Sequence, residues 1–101
     1  MKRTVVSYRI KSDRIEENTR LLQNVFAELE AKAFPGVHYV TLQTGDGWYT
    51  HFTTVDTDGV NPITTLDSFK TYVAGVRDRC VEPPQQSDDV TVVGNYRMIG
   101  G

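Results

Sequence analysis

The first thirty-odd residues switch from one hydrophobic period to another. From Arg3 to Ile10 apolar and polar positions alternate, with Val6, Tyr8 and Ile10 on one side and Val5, Ser7 and Arg9 on the other, the pattern of a β-strand. Lys11, Ser12 and Asp13 interrupt it, and Asp13 followed by Glu16 has the spacing of a helix-capping box. Ile15, Leu22, Val25, Phe26, Leu29 and Ala33 then recur at three- and four-residue intervals, with charged side chains mostly between them. This predicts an amphipathic helix of about six turns, ended by Pro35-Gly36.

The rest of the chain repeats the theme. Val37 to Gln43 and Trp48 to Val55 read as strands joined by Thr44-Gly45-Asp46-Gly47, since Asp-Gly between β-rich runs signals a hairpin. The hairpin pattern is read with Tyr39, Trp48 and Phe52 on one face and Val40, Leu42, Tyr49 and Val55 on the other. Residues 56–63 are loop-like. Thr64 and Asp67 offer a second helix start, and Leu66, Phe69, Tyr72, Val73, Val76 and Cys80 form that helix's apolar stripe, interrupted by Gly75. Pro83-Pro84 and the polar run after it read as a connector, and Val90 to Met98 as the last strand. The order β-α-β-β-α-β over residues 1–101 predicts one α+β domain of the ferredoxin-like kind. Its four-stranded antiparallel sheet would carry both helices on one face. Apolar residues on both faces of the strands leave an uncovered face that needs a partner, and a homodimer closing two sheets into a barrel supplies one.

Composition narrows the function classes. Eleven Lys and Arg are spread among thirteen Asp and Glu, for a net charge of −2, which speaks against nucleic acid as a partner, because phosphate binding needs clustered basic residues. No apolar run has the roughly 18 residues that would span a membrane. The basic start is not followed by the apolar segment of a signal peptide, and Cys80 is the single cysteine, so a reducing cytoplasm is the expected setting. Two histidines and one cysteine without ligand-like spacing predict no metal site.

The chain resembles the dimeric α+β barrel superfamily, and within it the antibiotic-biosynthesis-monooxygenase-like domains. The resemblance runs roughly from Val5 to Tyr96. It rests on the long first helix ending in Phe-Pro-Gly-Val, the hairpin Tyr-Val-Thr-Leu-Gln-Thr-Gly-Asp-Gly-Trp-Tyr-Thr-His-Phe, the segment Leu-Asp-Ser-Phe-Lys-Thr-Tyr and the closing Val-Thr-Val-Val-Gly-Asn-Tyr-Arg. It implies a pocket between sheet and helices in which some members oxygenate a phenolic or quinol-like aromatic with O₂, without metal or flavin. Other members degrade haem with an Asn on strand one, a Trp and a helix-borne His. Here strand one carries Ser7 and Tyr8 and neither histidine falls on a helix, a departure that points away from haem. Members that oxidise quinols line the pocket with Asn, Trp, Tyr and Arg, types present here as Asn95, Trp48, Tyr72 and Arg97.

His51 is the residue best suited to chemistry. It lies mid-strand between Tyr49 and Phe52, and an imidazole of ordinary pKa can take a phenolic proton near neutral pH; a histidine bonded across the sheet is the structural alternative. Trp48, Tyr49 and Tyr72 would be ligand-binding walls, or else core and interface. His38 reads as a solvated strand-end residue and Cys80 as packing. Arg9 and Arg97 would be neighbours if the first and last strands are adjacent, and either buried there could hold an anion. The expectation is therefore a small aromatic ligand and no cofactor, with non-catalytic binding of a small hydrophobic ligand, or an accessory or stress-response role, as the alternative.

Overall fold

The computed structural model describes residues 1–56 and 59–99. Its elements are β1 (Lys2–Ile10), α1 (Ile15–Lys32), β2 (Val37–Thr44), β3 (Trp48–Val55), α2 (Asp67–Ala74), the single turn α3 (Val76–Arg79) and β4 (Cys80–Ser87). The strands form one antiparallel sheet in the order β2-β3-β1-β4, the ferredoxin-like arrangement expected from the sequence. Tyr8 and Ile10 of β1 and Tyr49 of β3 meet Leu22 and Val25 of α1 and Tyr72 of α2 in the core, together with Leu66 and Val76.

Local chemistry sets the element ends. Asp13 lies inside a one-turn 3₁₀ segment, Ser12–Arg14, and makes no side-chain cap. α1 starts at Ile15, where Arg14 grips Glu17 through two hydrogen bonds of 2.6 and 3.0 Å. Ala33 takes a left-handed φ of 51° and returns its N–H to the Leu29 carbonyl, before Pro35 stops the chain from continuing as helix. Thr64 falls in a second 3₁₀ turn, Pro62–Thr65, whose cap is Asn61. α2 has no cap of its own. Its Ser68 N–H and hydroxyl donate instead to Glu28 of α1, at 3.1 and 2.6 Å, which ties the start of α2 to the latter part of α1.

Other sequence-based expectations are corrected. The last strand is Cys80–Ser87, not Val90–Met98, and residues 88–99 form no regular strand. Cys80 opens that strand opposite Ile10, where a place on the second helix was expected: the helical turn that follows Gly75 ends at Arg79, and the backbone is extended from Cys80. Pro83-Pro84 lies within β4, which is tolerated because β4 is an edge strand; the ladder with β1 shifts register between Ser7 and Ile10, where these prolines fall. The hairpin faces are also reassigned. The strands are joined by residues 45–47, and Thr44 pairs with Trp48 and Val40 with Phe52. Trp48, Phe52, Val40 and Leu42 therefore share the face away from the helices, and Tyr39, Tyr49 and Val55 share the covered one. Positive φ at Asp46 and Gly47 makes this turn, and a Cβ at Gly47 would stand 2.5 Å from the Ile10 carbonyl oxygen. The predicted loop 56–63 includes residues 57 and 58, which lie outside the described residues.

Candidate functional site

Between the covered face and α2 lies a cavity of about 330 Å³. Val6, Phe69, Val73, Val76 and Pro84 give it apolar walls, and Tyr8, Tyr39, His51 and Tyr72 line it with polar tips. The strand register explains the grouping. His51 is directly opposite Val6 on one side and Thr41 on the other, so Tyr8 and Tyr39, each two residues along a neighbouring strand, project on the same face and flank it. Tyr72 reaches the same point from α2.

His51 is 5% exposed and fully engaged. Its Nε2 is 2.7 Å from the Tyr8 hydroxyl and 3.3 Å from that of Tyr72, and its Nδ1 is 2.6 Å from the Tyr39 hydroxyl and 3.0 Å from that of Thr41. The Tyr8 and Tyr39 rings stack on the imidazole at centroid distances of 5.3 and 5.7 Å. Burial away from water disfavours the imidazolium and pulls the His51 pKa down to about 4, so the ring is neutral at physiological pH. The same burial pushes Tyr8 and Tyr39 up to about 12 and Tyr72 further in the same direction.

Behind the tyrosines stands a pair that sequence reasoning missed. Arg79 is 2% exposed and Asn18 0%. Arg79 Nε donates to Asn18 Oδ1 at 3.1 Å, and its Nη2 donates to the Tyr72 carbonyl at 2.9 Å. Asn18 Nδ2 donates to the Tyr8 hydroxyl at 3.3 Å, and the Tyr72 hydroxyl donates to Tyr8 at 2.6 Å. The guanidinium also lies 5.6 Å from the Tyr72 ring centroid, within cation–π range. Among the described residues no carboxylate pairs with Arg79. The available signal was spacing: Asn18 sits between Ile15 and Leu22 on the apolar stripe of α1, and Arg79 continues the line of Tyr72 and Val76. A polar residue on such a stripe is buried and must be bonded.

Of the residues singled out from sequence, the structure brings His51 and Tyr72 together at the cavity. Tyr49 is buried behind Tyr8, stacked on it at 5.5 Å, with its hydroxyl 2.6 Å from that of Thr19 and donating to the Ile15 carbonyl; it does not line the cavity. Trp48 is on the uncovered face. Asn95 folds the end of the chain on itself, accepting from the Met98 and Ile99 N–H groups at 3.1 and 2.9 Å. Arg97 lies over the Tyr96 ring at 5.1 Å. Neither reaches the cavity, because the segment that carries them is not the strand beside β1. Arg9 donates to the Asp46 carbonyl at the hairpin turn, and His38 is exposed. Among the described residues no three His, Cys, Asp or Glu side chains gather as a metal site requires, and no helix is long and apolar enough to cross a membrane.

No protein-family model matches the chain, and no curated protein is similar to it. Solved structures are. One from Nitrosomonas europaea, described as a candidate antibiotic biosynthesis monooxygenase, is 17% identical over 85% of each chain with a TM-score of 0.70. Another so described, from Caulobacter crescentus, is 18% identical over 89% of this chain and 90% of its own, with a TM-score of 0.69. A structure named antibiotic biosynthesis monooxygenase is 11% identical, covers 91% of this chain and 99% of its own, and has a TM-score of 0.74. At these identities the likeness is one of fold: the chain has the ferredoxin-like α+β fold of the antibiotic-biosynthesis-monooxygenase-like structures.

Proposed function

We propose, from the premise of that shared fold, that the protein is a monooxygenase-like enzyme whose cavity takes a small phenol- or quinol-like aromatic. The observation that carries the reading is His51 held among three tyrosines on one wall of an otherwise largely apolar cavity of about 330 Å³. That volume suits a one- or two-ring compound. Apolar walls bind the ring, and the tyrosine–histidine wall meets its hydroxyl. A quinol-like substrate would itself supply the four electrons that reduce O₂: two as the quinol becomes a quinone and two as a ring C–H becomes C–OH, with the second oxygen atom leaving as water with the two hydrogens lost from the quinol hydroxyls. Among the described residues the only charged side chain on the lining is Arg77, so an acidic substituent on the ring would be favoured there.

The role of His51 follows from its pKa. Moving a proton from a phenol of ordinary acidity to an imidazole held at about 4 is uphill by roughly 8 kcal/mol. In this reading, with both ring nitrogens already bonded to tyrosine and threonine hydroxyls, His51 draws the substrate's proton through the tyrosine hydroxyls, and only as charge flows onto oxygen. The same weak basicity favours a second reading, in which the cavity binds a small aromatic without turnover. Oxygen uptake over a panel of phenols and quinols, with wild type and His51→Ala side by side, separates the two. Uptake by wild type reduced 10²–10⁴-fold in the variant is expected. Equal uptake by both removes His51 from the reaction, and binding of the panel without uptake leaves the second reading.

The functional unit in this proposal is a homodimer formed across the uncovered face, where Val40 and Leu42 are 44% and 57% exposed beside Trp48. Contiguous apolar surface of this kind favours a partner.

A further inference from the structure

We infer that Arg79, acting through Asn18, sets the direction of the hydrogen bonds that run through Tyr8 to His51 and thereby fixes the tautomer of His51. An arginine side chain can only donate. Its Nε–H at 3.1 Å from the Asn18 side chain therefore requires the amide oxygen on that side, and the amide NH₂ is left facing Tyr8. Tyr8 oxygen then accepts from Asn18, and it accepts a second time from the Tyr72 hydroxyl. With both of its lone pairs taken, Tyr8 has its own O–H to give, and the acceptor at 2.7 Å is His51 Nε2. A neutral imidazole whose Nε2 accepts carries its proton on Nδ1, and Nδ1–H donates to Tyr39 at 2.6 Å or Thr41 at 3.0 Å.

The relay thus runs one way, from Arg79 through Asn18, Tyr8 and His51 to Tyr39 or Thr41, and its origin is a side chain that can only donate. Arg79 and Asn18 are positioning residues, since neither lines the cavity. This inference concerns the resting site and stands apart from the proposed oxygenation. The assignment also explains a buried arginine without a carboxylate. An acidic partner at position 18 would accept from Tyr8 as well as from Arg79 and would turn the relay round.

Nitrogen-15 NMR of the imidazole at neutral pH tests this, with the His51 signals assigned by their absence in His51→Gln and those of His38 by their absence in His38→Gln. The expected wild-type pattern is an unprotonated Nε2 and a protonated Nδ1. In Asn18→Asp, near in shape and able to pair with Arg79, the pattern should invert, with Nε2 protonated and donating to Tyr8. A wild-type Nε2–H tautomer overturns the inference without any variant, which keeps it decidable should Asn18→Asp not fold. A folded Asn18→Asp protein that retains the wild-type tautomer overturns it too, since a purely structural Arg79 and Asn18 would leave the imidazole unchanged.

Discussion

The two faces of the sheet are made by alternate residues of the same four strands, and they spend those residues differently. The covered face holds Tyr8, Ile10, Tyr49 and His51, each at most 5% exposed, while the other carries Val40, Leu42 and Trp48 at 36% exposure or more. The covered face thus buries hydrogen-bonded polar groups among its apolar ones, and the other leaves several apolar side chains in reach of water. A buried polar cluster needs every partner in place, so the covered face is where small changes carry large consequences.

The sharpest break of that contrast is the same truncation made on each side. Leu22, on the face of α1 packed into the core, should cost about 2–5 kcal/mol when replaced by Ala, read as a lowered urea midpoint. A shift too small to measure would mean that α1 presents a different face.

Acid comes next. His51 has its folded pKa depressed to about 4, against roughly 6.5 in an unfolded chain. Between those values the unfolded state binds the extra proton, so stability is complete above about pH 6.5 and falls as pH drops toward 4, by on the order of 3 kcal/mol in all. Glu17 and Glu28, whose carboxyls are held low by Arg14 and Ser68, add acid sensitivity at lower pH. Comparing wild type with His51→Gln by denaturation at several pH values isolates the imidazole. Parallel curves between pH 7 and 4 would show that His51 is not desolvated.

The smallest effect belongs to the open face. Leu42→Ala should alter the stability of a single folded chain by no more than about 0.5 kcal/mol. Leu42→Glu should leave the fold intact and halve the mass seen by light scattering, from twice the chain mass to one. Wild type running as a monomer at micromolar concentration would remove the homodimer.

Most of the fold was legible because period and punctuation agree from β1 to β3. The last strand was not. Val90 to Met98 has the β-branched composition of a strand, whereas Cys80 to Ser87 contains two prolines and two glutamines, and pairing with β1 outweighed propensity. The hairpin faces went astray for a different reason: sides follow from the number of residues in the turn, and a one-residue error in register reverses them all. His51 stood out by its aromatic neighbours on β3. Tyr8 and Tyr39 were legible as strand residues only, since nothing in the sequence tells which strand lies beside which hydroxyl. Asn18 and Arg79 drew no notice in the sequence, because only tertiary structure brings one helix's stripe to the other and bonds the two side chains to each other.

Pro83-Pro84 has one more consequence. Successive residues of a strand point their N–H groups to opposite sides, so this pair removes one donor facing β1 and one facing outward from the sheet edge. The inward loss coincides with the shifted ladder. The outward loss leaves a gap in the row of donors that an incoming strand would need, so β4 is a poor template for end-to-end growth of the sheet into filaments. Association of copies is thereby steered away from an open-ended stack of strands.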